Sequence, residues 1–418
     1  MSDPLSLPRL RAVTRPIDAV EDLLLLAAPD DPLVWLRRGD GFVGIGPEVL
    51  RIDVGEHDRL EAIADVWRGI SAATDVLDGV RLPGTGLIGF GAFAFDDASD
   101  APSTLVVPSV VVGRRGGRGW ITVIGPVDAP DPAEPTAIPY GPHWSATLGP
   151  GLLDPAAHTD AVTAALALIA DGELEKVVVA RDVVGTLPAQ ADLRRLVRAL
   201  AEGYPDTWTY SVDGIIGASP ETLVTVSGGT VTARVLAGTR PRGATADEDT
   251  ALTAELATTA KDLDEHRYAV ESVLAALRPH TSELVAAEQP FTLKLPNVWH
   301  LATDVEGTLE NGGSALDMVR ALHPTAAVAG TPTVPAVEAI RRLEPFDRGR
   351  YAGPVGWVDG AGDGEWAIAL RCAQIGAADG DVRPVTAHAG GGIVAGSRPE
   401  AELLETRVKF RPIIDALA

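Results

Sequence analysis

Apolar residues in this chain recur mostly in short runs of period two, punctuated by glycine and proline, with helical periodicity confined to a few stretches. The first 125 residues read as strands with short helices between them. Residues 87–95, LIGFGAFAF, alternate small and large apolar side chains with glycines, the pattern of a strand lying close against another backbone. Apolar runs at 105–113 and 120–125 flank RRGGRG and predict a hairpin. Residues 126–155 carry many prolines and no periodicity, and read as a loop or linker.

Beyond that point, residues 160–170 have helical periodicity with Gly172 as the stop, and Lys176 opens the β-branched run VVVAR. Residues 208–216 and 223–226 predict further strands, joined by Ser219-Pro220-Glu221. A strand at 231–236 runs into the loop AGTRPRG, and one long helix is expected over 247–277. Residues 366–373, WAIALRCA, read as a continuous apolar strand interrupted by one arginine. There is no internal repeat, and several strands follow one another without a helix. That order predicts an α+β fold with a mainly antiparallel sheet.

The segment AGGGIVAGSRPEAELLETRVK, 389–409, holds a glycine run and then a helix start. Ser397 is placed to cap the free amides, Glu400 to complete a capping box, and Pro399 to occupy the first turn. Glu402, Glu405 and Lys409 follow at i, i+3 and i+7 and so project from one face. Two carboxylates and an ammonium beside a glycine loop suit a hard cation together with an anion. A solvated, salt-bridged face would look the same.

Composition narrows the function. A formal charge of −23 argues against nucleic acid and anionic membrane surfaces, which need a basic patch. A small anionic substrate remains open, because a few buried cations can reverse the potential locally. Cys372 is the only cysteine, which excludes intrachain disulfides and a cysteine-based zinc site and is compatible with a reducing cytosol. No apolar run reaches the ~20 residues of a membrane span, and MSDPLSLPRL is not a signal peptide. The expectation is a cytoplasmic globular protein.

Several positions could carry chemistry. Asp262 and Glu265 in KDLDEH repeat the i, i+3 acidic spacing of Glu402 and Glu405, and four such carboxylates would suit Mg²⁺ rather than zinc. Acidic pairs of this kind are also common on surface helices. Arg371, inside an apolar strand, must find an anion, either an internal carboxylate or a ligand's. Gly238-Thr239 and Gly390-Gly391-Gly392 offer backbone amides and close approach, or are plain turns. Lys176 could be a base if burial lowers its pKa, and Glu221 an acid if burial raises it; ordinary solvated roles exist for both. His300, in NVWHLATDVEG, is either a polar contact in an apolar site or a core histidine.

Taken in order, these segments resemble the chorismate-utilising enzymes. The motifs are EKVVVARDV (175–183), GASPETLV (217–224), LAGTRPRG (236–243), KDLDEH (261–266) and WHLATDVEG (299–307). They continue with HPTAAVAG (323–330), RYAGPVGW (350–357), EWAIALRCA (365–373) and AGGGIV…EAELLETRVK (389–409). The N-terminal part matches more loosely through GFGAFAFD (89–96). The resemblance implies one large domain, with 1–125 as its first part, 126–155 as a linker and 156–412 as the catalytic region. Its fold would be that of anthranilate synthase component I, an antiparallel core with helices outside.

The resemblance further implies Mg²⁺ held by Glu265 and Glu405, supported by Asp262 and Glu402, gripping the ring carboxylate of chorismate. Gly238, Thr239 and Lys409 would help hold that end, while Arg371, Tyr351 and the backbone at Gly390 would hold the enolpyruvyl carboxylate. Lys176 would take a proton from water attacking ring carbon 2, Glu221 would protonate the hydroxyl leaving carbon 4, and His300 would line the site. GPVGWVDGAGDGEWAIALRCAQI and HPTAAVAG look like the isochorismate-forming branch, and Ala327 stands where salicylate- and anthranilate-forming members tend to carry threonine. Tyr351 and Leu370 match residues often seen in lyase-type members, leaving a minor salicylate-forming activity open. Neither a tryptophan-feedback motif nor a need for a glutamine-hydrolysing partner is evident, and a monomer is expected.

Overall fold

A computed structural model describes residues 9–130, 132–294, 298–310 and 312–418; the side chains at 239, 241, 260–262, 265 and 298 fall outside the described set. Period-two segments become strands that pair almost wholly antiparallel. One run starts with Asp75–Asp78 beside Leu10–Ile17, then Arg118–Pro126 and Ser103–Arg115. It continues through Ile88–Ala92, Pro354–Asp359, Gly364–Ile368, Thr222–Ser227 and Thr230–Pro241 to Val298–Leu309. A second run leaves Ser103–Arg115 through Asp40–Val54, Leu33–Arg37, Trp208–Val212 and Ile215–Ser219. Cys372–Ile375, Val382–Val394 and Lys176–Pro188 complete it. Among the described residues only the Leu10–Ile17/Asp75–Asp78 pair is parallel.

Side chains from both runs meet in one core. Trp35 of the second run donates to Glu365 of the first at 3.1 Å, and Phe42 meets Trp357 edge-on with 5.3 Å between ring centres. A second apolar cluster, including Leu196, Leu200, Phe410 and Ile413, lies beneath the helices Arg194–Gly203 and Pro399–Leu417. The architecture is the mixed α+β arrangement that the patterning predicts. No helix of the described residues is long and apolar enough to cross a membrane.

Local predictions fared unevenly, for identifiable reasons. The RRGGRG hairpin forms, with Gly116 and Gly117 supplying φ of 56° and 77° at its turn. In LIGFGAFAF, Gly91 makes room for a side chain rather than a backbone: a β-carbon there would lie 2.3 Å from the Trp366 indole. The helix expected at 160–170 starts earlier, as Pro155–Ala170, because Asp154 caps it by accepting from the Ala156 and Ala157 amides. The proline-rich linker contains the short strand Leu148–Pro150 and packs Tyr140 against the Arg194 guanidinium.

Three elements differ from expectation. The strand ending at 236 continues as Thr230–Pro241, carrying the predicted loop as a bulge at Gly238, φ 78°. The long helix is two, Ala246–Thr258 and Ala260–Leu277, parted at an extended Thr259. The WAIALRCA strand is also two, Gly364–Ile368 and Cys372–Ile375, because Arg371 sits in the left-handed region at φ 49°.

A buried ion pair braces the strand that begins at Lys176. Arg348 donates to Glu344 at 2.6 and 2.8 Å and to the carbonyls of Val178 and Val328, both at 2.9 Å. Glu344 in turn accepts from the Ala180 amide at 2.8 Å. Replacing Glu344 by leucine leaves a buried guanidinium without its counter-ion, and we expect a loss of about 3–5 kcal/mol in chemical denaturation. The double variant Glu344→Leu/Arg348→Met should recover only part of that loss, because it still leaves the Ala180 amide and the Val178 and Val328 carbonyls without these partners.

Candidate active site

The strand Lys176–Pro188 pairs with Val382–Val394 over its whole length, setting Lys176 opposite Val394 and Ala180 opposite Gly390. The three glycines of this second strand each admit a different neighbour. A β-carbon at Gly390 would sit 2.8 Å from the Val179 carbonyl, and one at Gly392 would sit 2.8 Å from the Lys176 side chain. At Gly391 it would approach the Glu402 carboxylate to 3.0 Å and the Glu405 carboxylate to 3.5 Å. Those carboxylates come from the helix Pro399–Leu417, whose i, i+3, i+7 face is the one the sequence predicts. Lys409 binds the Gly390 carbonyl at 2.8 Å and Glu405 at 2.5 Å. The start of that helix differs from expectation. Arg398 is its N-cap without a side-chain hydrogen bond, and the Ser397 hydroxyl turns back to accept from the Val394 amide.

Across the cavity, Glu221 follows a tight turn in which Ser219 donates to the Ile368 carbonyl at 2.6 Å. The backbone of Glu221 accepts from the Ile368 amide at 3.0 Å, fixing the acid at the point where the Gly364–Ile368 strand ends. The chain then swings through Leu370 and Arg371 before pairing resumes. Among the described residues the Arg371 guanidinium has no hydrogen-bonded or ion-paired partner. Tyr351 stacks on His388 with 5.1 Å between ring centres.

These pieces enclose a cavity of about 390 Å³. It brings together Lys176, Glu221, Gly238, His300, Ala327, Tyr351, Leu370, Arg371, Gly390, Glu402, Glu405 and Lys409. The side chains of Thr239, Asp262 and Glu265 lie outside the described residues; Asp262 and Glu265 belong to the helix Ala260–Leu277. Sequence reasoning missed Arg240, His388 and Arg398, which also line the cavity. It passed over His266 too, although that residue closes the KDLDEH motif.

Burial and charge set the protonation states. Burial raises the pKa of Glu221, with Lys176, Lys409 and Arg371 pulling against it. Burial would raise Glu405 as well, but Lys409, and then Arg371 and His300, bring it below the ordinary carboxylate range. Two carboxylates in one cavity are thus driven apart, one toward the acid and one toward the anion. Burial, with Lys409 and Arg371 nearby, holds His300 down to about 4, and its ring bonds the Gly238 backbone. Burial also lowers Arg371.

Glu402 and Glu405 offer oxygen donors only, the set a hard cation prefers. Among the described residues there is no group of three or more potential metal ligands. The two carboxylates side by side at Gly391 fit half of a Mg²⁺ site.

A cavity bearing a carboxyl whose pKa is raised by burial, a lysine and a guanidinium without an ion-pair partner among the described residues suits acid–base chemistry on a small carboxylate. The chain belongs to the chorismate binding enzyme family, whose model matches residues 142–418. It is 42% identical over 276 residues to isochorismate synthase DhbC of Bacillus subtilis, covering 63% of this chain and 68% of that one. It is 29% identical over 405 residues to isochorismate synthase MenF of the same organism, covering 90% and 85%. The solved structure of MenF, the menaquinone-specific isochorismate synthase from Escherichia coli, superposes with a TM-score of 0.79 at 25% identity, covering 98% of this chain and 95% of that one.

Because His300 titrates near 4 when folded and near 6.5 when unfolded, the unfolded chain binds the extra proton between those values. Its contribution to stability is therefore present above pH 6.5 and lost as pH falls toward 4. His300→Gln should flatten the fall in stability across that window by up to one proton, read from denaturation midpoints at stepped pH.

Proposed function

We propose that the protein is a Mg²⁺-dependent isochorismate synthase, converting chorismate to isochorismate. The observation that carries this is Lys176 and Glu221 lining one cavity with an Arg371 whose guanidinium has no hydrogen-bonded or ion-paired partner among the described residues. The names of its relatives agree with it. Arg371 would take the enolpyruvyl carboxylate, with Tyr351 and the backbone at Gly390 beside it. Gly238, Thr239 and Lys409 would sit at the ring carboxylate, and Leu370, Ala327 and His300 would line the ring's surroundings.

In the reaction, Lys176 accepts a proton from the water whose oxygen bonds to ring carbon 2. Both ring double bonds shift, from C1=C2 and C5=C6 to C1=C6 and C4=C5, the bond from carbon 4 to its hydroxyl breaks, and Glu221 gives that hydroxyl a proton so that it leaves as water. One water enters and one departs, so atoms and charge balance once a proton returns from Lys176 to Glu221. Glu405 and Glu402, with Glu265 and Asp262, would hold the Mg²⁺, which supplies positive charge for the ring carboxylate. No ammonia is consumed, so a glutamine-hydrolysing partner is not required, and a monomer suffices.

The test is turnover with product identity resolved. Purified protein with Mg²⁺ and chorismate should yield isochorismate without ammonia and with little pyruvate; stoichiometric pyruvate and salicylate would replace this reading with the lyase one. Lys176→Ala should abolish turnover while sparing Mg²⁺-dependent chorismate binding. Glu221→Gln should lower kcat by roughly 10²–10⁴.

A further inference from the structure

His266 is buried, and it reaches two strands from the helix Ala260–Leu277. Its Nδ1 lies 3.1 Å from the Ala237 carbonyl and its Nε2 lies 2.7 Å from the Thr303 hydroxyl. A carbonyl only accepts, so Nδ1 carries a proton and donates to Ala237, while Nε2 is hydrogen-bonded to the Thr303 hydroxyl. One partner sits where the sheet is irregular and the other on the strand that faces it. Ala237 immediately precedes the Gly238 bulge, at which the register against Val298–Leu309 shifts. Thr303 belongs to that facing strand, as does His300, whose ring bonds the Gly238 backbone.

The bulge is thus gripped by two imidazoles, at successive residues. One lines the cavity. The other stands on the helix that carries Asp262 and Glu265, directly after Glu265 in sequence. A bulge lacks regular ladder bonds and needs such outside partners to hold one shape. A ring hydrogen-bonded at both nitrogens also fixes the helix's rotation and height against the sheet.

We propose that His266 is a positioning residue that locks the acidic helix to the Gly238 bulge, so that metal and substrate carboxylate are held by one rigid unit. This rests on reading the cavity as a Mg²⁺-dependent isochorismate synthase site. Its consequence is that loosening His266 weakens Mg²⁺ and chorismate together, although it lines no part of the cavity.

The experiment measures thermal melts against MgCl₂ without chorismate, and kcat and KM at saturating Mg²⁺, on the full chain. His266→Phe keeps the volume and loses both hydrogen bonds. Its Mg²⁺ midpoint should rise about tenfold, the range seen when outer partners of metal ligands are removed. KM for chorismate should rise with it, and more than kcat falls. His266→Asn places an amide donor where Nδ1 stood and should return both values most of the way. A folded His266→Phe that melts lower yet keeps the wild-type Mg²⁺ midpoint and KM would overturn the proposal, as would a wild type that Mg²⁺ does not stabilise. Should His266→Phe not fold, Thr303→Val removes only the second bond; a raised midpoint there supports the role and an unchanged one refutes it. Wild type that is stabilised by Mg²⁺ but makes no isochorismate would count against the proposed reaction alone, with the metal titration still deciding the role of His266.

Discussion

Everything at the site depends on how closely two strands and one helix can approach at Gly390-Gly391-Gly392. With side chains there, the Val179 carbonyl, the Glu402 carboxylate and the Lys176 stem would each be displaced, since every β-carbon would fall within 3.0 Å of one of them. Bare backbone lets groups of opposite charge approach the same strand from two directions. The lysine runs along one side of the strand and the carboxylates press from the helix. A charged cavity can therefore sit against a sheet without a layer of apolar side chains between.

The electrostatics follow from that closeness. A chain of net charge −23 would repel an anionic substrate at long range, but the cavity gathers Lys176, Arg371 and Lys409 within one enclosure. Lys409 is partly spent on Glu405 and the Gly390 carbonyl, whereas the Arg371 guanidinium is left uncommitted by the described residues. The same cations hold Glu405 ionised and temper the upward shift of Glu221. Acid, anion and anion-binding group arise from one local balance of burial and charge.

Much of this was legible in the sequence, and what was not has physical reasons. The ordered motifs identified which segments converge, and the spacing of Glu402, Glu405 and Lys409 put them on the correct face. The turn at Arg371 was hidden because an arginine in an apolar run carries no glycine or proline to mark a left-handed residue. The break at Thr259 was hidden likewise, since alanine-rich helical periodicity runs straight through it. Ser397 followed a capping pattern but binds the Val394 amide, a tertiary choice that local propensity does not encode. His266 went unnoticed because its role lies in two partners, at 237 and 303, that only the folded sheet brings within reach.

The Glu344–Arg348 pair has an implication of another kind. Its carboxylate serves the Ala180 amide and its guanidinium serves two carbonyls, so each partner answers for more than the other. A lineage altering either residue first would pass through a poorly folding intermediate. The two positions should accordingly change together or not at all, and the strand bearing Lys176 inherits that evolutionary immobility without contributing a side chain to the pair.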